Sequence, residues 1–362
     1  IAEADLIFAL QSWDMYEKKQ VLHQYKGKIY NVIELYQDFF PGQIIAITGS
    51  SGKSSITHYL QKSLQKLNQN QILLAGNDRK TQPILSKENL SSDDVLILEV
   101  SNRQLKYIKY FKPKIAAITN ISSNHISEHG SFENYKQAKL KITQNQTSSD
   151  VFILPKTLNN TASKARTVQY KALLPIQTNF PKKSSFEQAN YSLVFTILKE
   201  LNYSEEAILE SLHNLTPLPD RFEFLYKVNN INFYNDRQGT SVDSTLQVLK
   251  HLKNEDTFLI FGGATKDADL KPLIEVFQNP NIHPIGIQSP VTKELSQTKL
   301  VDIVPSLTMA VEKAIIKASK NHKQSNILFS PACEYGPYFA KKETNKDYES
   351  YKTLVEEYKQ NQ

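Results

Sequence analysis

Residues 44–56 read Ile-Ile-Ala-Ile-Thr-Gly-Ser-Ser-Gly-Lys-Ser-Ser-Ile. The apolar run Ile44 to Ile47 has the character of a buried strand. Gly49 to Gly52 make a turn, and Lys53, Ser54 and Ser55 open an apolar-periodic segment that runs to Leu67. Strand, glycine turn, Lys-Ser and helix is an arrangement that holds nucleotide phosphates. Glycines let backbone N–H groups point inward, the helix start adds partial positive charge, Lys53 adds a full charge, and a hydroxyl such as that of Ser54 ligates Mg²⁺. Counted from Gly49, the loop is one residue shorter than the common G-x-x-x-x-G-K-[ST] form; it fits that form only when counted from Thr48. The plainer alternative is a surface turn with a lysine, and the order of strand, turn and helix argues against it.

Other residues acquire meaning from their positions. Glu99 ends the strand-like run Val95-Leu96-Ile97-Leu98. In open parallel sheets ligands gather at the carboxyl ends of strands, so Glu99 is either a Mg²⁺ ligand or an ordinary strand-end glutamate. His125 and His129 follow the next strand, where both could equally be solvated. Lys139 sits in Tyr-Lys-Gln-Ala-Lys-Leu-Lys-Ile and, on its own, reads as part of a solvated basic helix face. Further on come Arg221, Asn235-Asp236, Gly262-Gly263 with Lys266, and Ser330-Pro331-Ala332-Cys333. Arg221 could clamp a phosphate and Asp236 a ribose or a cation.

The elements that must position these groups alternate. Strand-like runs at Ile44–Ile47, Ile72–Leu74, Val95–Val100, Ile115–Asn120 and Val151–Leu154 are separated by helical stretches, and Phe186–Leu201 is a further long helix. Such alternation predicts a parallel sheet covered by helices. Leu215-Thr-Pro-Leu-Pro219 breaks the chain as a linker and hinge candidate. A second α/β run follows. It has strands at Phe222–Val228, Ile231–Tyr234, Thr257–Phe261, Pro284–Gln288 and Ile327–Ser330, and helices at Ser241–Leu252 and Ser306–Ser319. Residues 1–41 read as strand, helix, strand and short helix, too little for a domain. The chain starts at Ile1 and enters a strand at once, so an upstream segment is expected.

With 362 residues, two or three domains are expected. The chain is 40% hydrophobic and 22% charged, ordinary for a soluble globular protein. Neither a secretory signal nor an apolar run long enough to span a membrane is visible. A net charge of +6, from 43 basic and 37 acidic residues, suits anionic small molecules. The lysines are spread along the chain, which argues against a nucleic-acid-binding arm. The single cysteine, Cys333, excludes an internal disulfide framework and a cysteine zinc site, and a reducing cytoplasm is the simplest compartment.

Taken together, the motifs resemble those of the Mur ligases, the ATP-dependent amino-acid ligases of peptidoglycan precursor synthesis. The likeness runs from about Ala4 to Tyr348. It is carried by Ala46-Ile-Thr-Gly-Ser-Ser-Gly-Lys-Ser54, Glu99-Val-Ser-Asn-Arg-Gln-Leu105, His129-Gly-Ser-Phe-Glu-Asn-Tyr135 with Ala138-Lys139, Arg221-Phe-Glu223, Asn235-Asp236, Gly262-Gly263 and Ser330-Pro-Ala-Cys333. His-Gly-Ser-Phe-Glu and Ser-Pro-Ala-Cys point to the branch that adds D-glutamate. The fold implied is α/β: a P-loop-containing central domain with a mostly parallel sheet, plus a C-terminal Rossmann-like α/β domain. The expected boundaries are 1–41 for the remnant of an N-terminal UDP-binding domain, 42–217 for the ATP-binding domain, and 218–362 for the amino-acid-binding domain.

The resemblance also implies roles. Gly49, Ser50, Ser51, Gly52, Lys53, Ser54 and Ser55 form the phosphate loop, with Lys53 on the β/γ-phosphates. Ser54, Glu99, His125 and Lys139 are the implied Mg²⁺ ligands. Lys139 matches a lysine that is carbamylated in the family, which reverses its bland reading: an ammonium repels Mg²⁺, whereas a carbamate is an anionic oxygen ligand. Asn77, Ser101 and Gln104 match positions lining the phosphates and the acceptor. Asn190 matches an adenine-side asparagine, Arg221 a phosphate contact and Asp236 a nucleotide-binding aspartate. Thr240 and Lys266 match residues that bind the incoming α-carboxylate, and Lys266 is counted with Lys53, His125 and Lys139 among the catalytic groups.

Three positions depart from the pattern. Ser51 stands where asparagine is usual, and Gln238 where lysine is usual. Glu334-Tyr335 replaces a serine-containing loop; Tyr335 could donate to the side-chain carboxylate of D-glutamate, which Glu334 would repel. The implied substrates are ATP, a UDP-linked muramoyl precursor and D-glutamate, acted on by a monomer. Another Mur-type or folylpolyglutamate-type ligase, a non-ligase P-loop NTPase, and a nucleotide-binding paralogue serving as a partner subunit are the rival readings.

Overall fold

The computed structural model describes residues 5, 7–9, 28–68, 70–77, 89–106, 108–122, 129–158, 163–171, 185–213, 215–252, 254–264, 269–321, 323–334 and 346–361. The chain forms two compact units, Ile1–Thr216 and Pro217–Gln362.

In the first unit, β1 (Ile7–Ala9) and β2 (Ile29–Asn31) pair in parallel and lead into α1 (Val32–Phe39). Asn31 caps α1: its side-chain oxygen accepts from Ile33 N–H at 3.1 Å, and the Glu34 carboxylate accepts from Asn31 N–H at 3.2 Å, a reciprocal capping box. The other Glu34 oxygen accepts from the N–H groups of Lys109 (2.6 Å) and Tyr110 (2.8 Å). This buried carboxylate therefore ties α1 to the segment that leads into the strand Ile115–Ile118 of the main sheet.

The main sheet comprises β3 (Gln43–Thr48), β4 (Ile72–Gly76), β5 (Val95–Glu99), β6 (Ile115–Ile118), β7 (Val151–Pro155) and β8 (Arg166–Tyr170). All are parallel, in the order β4-β5-β3-β6-β7-β8. Alternate residues of the central strands feed two cores. Ile45, Ile47, Val95, Ile97, Ile115 and Ala117 face α2 (Lys53–Leu67), α5 (Ser185–Glu200) and α6 (Glu205–Leu212). Ile44, Ala46, Leu96, Leu98, Ala116 and Ile118 face the core that holds Ile33 of α1 and Leu105 of α3 (Asn102–Lys106). Burial on both faces explains why these strands read as continuous apolar runs. Ile56, Tyr59, Leu60 and Leu64 recur at helical spacing and fix which face of α2 meets the sheet. Each such fully buried side chain contributes roughly 1.5–3 kcal/mol before entropy is counted. The connection from β3 runs to β4 on one side of the sheet and the connection from β5 crosses to β6 on the other, so the carboxyl end of β3 is the topological switch point where open sheets bind ligands.

The second unit holds β9 (Glu223–Val228), β10 (Ile231–Asn235), β11 (Asp256–Phe261), β12 (Ile282–Ile287), β13 (Asp302–Val304) and β14 (Ser325–Phe329), in the order β13-β12-β11-β14-β10-β9. All pairs are parallel except the β9–β10 hairpin. That hairpin turns through Asn229-Asn230, where Asn229 takes a left-handed φ of 52°, a conformation asparagine tolerates. One face of the sheet is covered by α7 (Val242–Leu252), α8 (Lys271–Phe277) and α9 (Pro290–Leu295). The other is covered by α10 (Leu307–Ser319) and, through Tyr351 and Val355, α11 (Lys346–Gln360).

Candidate active site

The turn from β3 into α2 has the backbone the sequence pattern requires. Gly49 has φ +152° and Gly52 has φ +81°. A Cβ at Gly49 would lie 1.8 Å from Thr119 Oγ1, and one at Gly52 would lie 2.9 Å from Asn190 Oδ1. Both positions therefore need glycine for conformation and for space. Gly52 occupies the N-cap of α2 without a side-chain cap, so Lys53, Ser54 and Ser55 open the helix next to unclaimed amide dipoles.

The loop is held from outside by the segment after β6. Ser51 N–H and Ser51 Oγ–H both donate to Asn120 Oδ1, at 3.1 and 3.2 Å. Asn120 Nδ2 returns a bond to Ser51 O at 3.2 Å, and Thr119 Oγ1 donates to the same oxygen at 2.6 Å. Two lysines then meet on one loop carbonyl: Lys53 Nζ donates to Gly49 O at 2.9 Å and Lys139 Nζ at 2.8 Å. Lys139 comes from α4 (Phe132–Leu140) and is 1% exposed. A solvated basic face, the reading its local sequence suggests, does not describe it. Burial first, and the neighbouring Lys53 charge second, hold its amine well below the ordinary lysine range. Lys139 is thus biased toward the neutral, nucleophilic amine.

Glu99 lies at the carboxyl end of β5, the neighbour of β3, in register with Ile47. Glu99 and the Lys53 loop therefore share one edge of the sheet. Glu99 Oε1 accepts from Asn77 Nδ2 at 3.1 Å, while Oε2 is buried with no hydrogen-bond partner among the described residues. A buried anionic oxygen in that condition is suited to a hard cation. Ser101 and Gln104 stand just beyond. Ser101 N–H and Oγ–H donate to Gln104 Oε1 at 2.8 and 3.0 Å, so the pair caps the start of α3, and Gln104 Nε2 remains a buried donor without a partner among the described residues. Asn190, on α5, is buried beneath Gly52, and its Nδ2 likewise has no partner among the described residues.

The second unit contains its own polar centre. Asp236, after β10, is buried; its Oδ1 accepts from Phe222 N–H at 3.0 Å and its Oδ2 from Ser330 Oγ–H at 2.7 Å. Burial dominates and pushes its carboxyl up to about 7, against the Ser330 and Phe222 bonds and the Arg221 charge. Ser330 Oγ also meets Thr245 Oγ1 at 2.6 Å. Gly239 closes over this centre, where a Cβ would lie 2.2 Å from Asp236 Oδ2. Arg221 is half-buried, Thr240 is exposed, and Arg237 pairs with Asp220 at 3.2 Å. Phe222 and Ala332 adopt left-handed φ values of 44° and 60° around the same centre, the kind of backbone strain found near functional sites.

His125, Lys266 and Tyr335 lie outside the described residues. Thr119, Asn120 and Tyr135 touch the phosphate loop but were not picked out as site residues from the sequence. The available signal was position: Thr119 and Asn120 follow β6, a neighbour of β3, and Tyr135 stands one helical turn before Lys139.

Comparison with known proteins agrees with this architecture. A model of the Mur ligase middle domain matches residues 47–205. The UDP-N-acetylmuramoylalanine–D-glutamate ligase of Aquifex aeolicus is 32% identical over 356 residues, covering 93% of this chain and 84% of the relative. The enzyme of the same name from Elusimicrobium minutum is 27% identical, with 91% and 80% covered. Among solved structures, MurF ligase from Thermotoga maritima in complex with ADP superposes with a TM-score of 0.68 at 14% identity, covering 98% of this chain and 90% of that one. E. coli FolC in complex with DHPP and ADP gives 0.62 at 14%, covering 81% and 86%. The chain belongs to the Mur ligase family of ATP-dependent, amide-bond-forming ligases.

Proposed function

We propose that this chain joins D-glutamate to UDP-N-acetylmuramoyl-L-alanine at the expense of ATP, in peptidoglycan precursor synthesis. The observation that carries the reading at the level of geometry is the meeting of Lys53 and Lys139 on Gly49 O, on the same sheet edge as a buried, half-unpaired Glu99. Relatives named for this reaction supply the substrates.

In the first step an acceptor carboxylate oxygen attacks the γ-phosphorus of ATP; the bond to the β-phosphate breaks and ADP leaves, giving an acyl phosphate. In the second the D-glutamate amine attacks the acyl carbon, loses a proton and expels inorganic phosphate. Such chemistry asks the protein for alignment and charge compensation more than for covalent participation. The amides at the start of α2 are assigned to the phosphates, and Lys53 is assigned to leave Gly49 O and follow the transferring group. Ser54, Glu99, His125 and Lys139 are the proposed holders of Mg²⁺, which when bound offsets phosphate charge. The unpaired Glu99 oxygen fits that ion, whereas Lys139 fits it only as a carbamate. The neutral amine favoured by its burial is the form that attacks carbon dioxide, forming the N–C bond and releasing a proton. Asn77 and Asn190 are assigned to the nucleotide, and Ser101 and Gln104 to the acceptor. In the second unit, Arg221 and Asp236 are assigned to the nucleotide, and Thr240, Lys266 and Tyr335 to D-glutamate.

Small-molecule substrates, a monomer and the cytoplasm fit this reading; no described helix is long and apolar enough to cross a membrane. The test is phosphate release from ATP and Mg²⁺ with UDP-N-acetylmuramoyl-L-alanine and D-glutamate. Release that requires every component is expected. ATP binding without turnover refutes the ligase reading and favours a nucleotide-binding paralogue.

A further inference from the structure

We infer that Tyr135 is a positioning residue that sets the shape of the phosphate loop, an inference that rests on the nucleotide-binding reading above. Tyr135 is 1% exposed on α4, so its hydroxyl must find a protein partner. That partner is Ser50 Oγ, at 3.0 Å, in the centre of the loop. Ser50 Oγ accepts from Ser122 N–H at 3.0 Å and offers its one hydrogen to Ser122 O at 3.3 Å, which leaves Tyr135 as the donor. The next turn of the same helix carries Lys139, whose amine bonds Gly49 O and lies 4.6 Å from the Tyr135 ring centroid. One helix face thus grips two consecutive loop residues.

The grip extends toward the acidic strand end. The His129 ring meets the Tyr135 ring edge-on at 5.3 Å. Asn102 Nδ2 and His129 Nε2 stand at hydrogen-bond distance, 2.7 Å. Asn102 is buried at the start of α3, just past Glu99. A path of contacts therefore runs from Asn102, three residues beyond Glu99 in the chain, to the phosphate loop through His129 and Tyr135. Its effect is to hold Ser50 in place from the α4 side, while Asn120 holds the following Ser51 peptide from the other, so the loop is pre-set before nucleotide arrives.

The test is a double-mutant cycle read by calorimetric titration of the full chain with ADP and with ATP. Tyr135→Phe keeps the ring beside Lys139 and His129 and deletes only the hydroxyl; Ser50→Ala deletes its partner. Loss of one neutral hydrogen bond that pre-orders a binding loop is expected to weaken nucleotide binding about fivefold in Tyr135→Phe, and Ser50→Ala, which also loses both Ser122 bonds, is expected to lose at least as much. The double variant is expected to be no weaker than Ser50→Ala alone, and KM for ATP to rise with the loss of affinity while KM for D-glutamate stays. Additive losses, or wild-type affinity in Tyr135→Phe, overturn the positioning role and leave the ligase reading standing. A wild-type chain that binds neither nucleotide overturns both.

Discussion

Exchanging Glu99 for glutamine separates the two roles of that side chain. One oxygen accepts from Asn77 Nδ2 at 3.1 Å; the other is buried without a partner among the described residues. Glutamine has the same shape, and its carbonyl oxygen takes over the Asn77 bond, so the variant deletes charge and little else. A buried polar group without a partner costs about 1–3 kcal/mol, and more when it is charged. The amide that replaces the carboxylate oxygen carries the smaller penalty. Glu99→Gln is therefore expected to hold or raise stability by about 1 kcal/mol, equivalent to roughly 2–4 °C in a unit of this size. Activity moves the other way. Removing one preorganised charge from phosphoryl transfer is expected to cost a hundredfold to a thousandfold in kcat, about 3–4 kcal/mol, with the Mg²⁺ requirement shifted upward. Thermal unfolding and phosphate release across a Mg²⁺ titration read the two effects separately. A Mg²⁺ curve identical to wild type would show that the carboxylate does not hold the cation. A stability loss above about 2 kcal/mol would show that it is a structural anchor.

The other sites give predictions of known sign. Lys139→Ala is expected to abolish turnover, and high bicarbonate or a short carboxylic acid to restore part of it; wild-type turnover refutes the carbamate. Because burial lowers the Lys139 pKa in the folded chain, the unfolded chain binds more protons between that value and 10.5. In carbon-dioxide-free buffer stability should therefore rise with pH across that window, and Lys139→Met should flatten the rise. Asp236 has the opposite sign: its folded carboxyl is raised from 3.8 to about 7, so its contribution is fully present below 3.8 and lost as pH climbs to about 7. A loss on the order of 4 kcal/mol is the upper bound, and Asp236→Asn should remove it from denaturant titrations run at about pH 3.5, below the window, and about pH 8, above it. At Gly52, alanine meets Asn190 Oδ1 at 2.9 Å with φ at +81°, so Gly52→Ala is expected to lose about 1–3 kcal/mol of stability and to weaken ADP binding; full retention of both refutes the steric argument.

The fold was legible wherever burial wrote a pattern into the chain. The apolar runs Ile44–Ile47 and Val95–Val100 lie in central strands covered on both faces, and α2 has the bounds its periodicity predicts, Lys53–Leu67. β8 was not legible, because Arg166–Tyr170 is an edge strand with mostly exposed side chains and no apolar alternation. The short edge strand β13 failed for the same reason. In the site, the loop glycines and Lys53 were readable from spacing alone, since local backbone geometry dictates them. Lys139 was not: its neighbours describe a basic face, and only the packing of α4 against the loop buries it. Thr119, Asn120 and Tyr135 were obscure because sheet order, which no local window contains, brings them to the loop. Ser101 and Gln104 stand together only in the motif resemblance, and the structure shows their hydrogen bonds capping a helix.

The charges around Gly49 explain why these residue types belong together. Two amines bonded to one carbonyl oxygen, at 2.9 and 2.8 Å, stand within about 6 Å of each other. If both were ammonium groups, their repulsion would be about 3 kcal/mol at an effective dielectric near 20. Three events relieve it. Lys139 can lose its proton, which burial already favours; Lys139 can become a carbamate, which converts repulsion into attraction; or Lys53 can move onto an anionic phosphate. The first event makes the second possible, because only a neutral amine adds carbon dioxide. The third is the movement proposed above for phosphoryl transfer. On that proposal, one repulsive pair primes both the lysine assigned to carbamylation and the lysine assigned to follow the phosphate. A sequence with an arginine at either position would lose this coupling, since a guanidinium does not give up its charge.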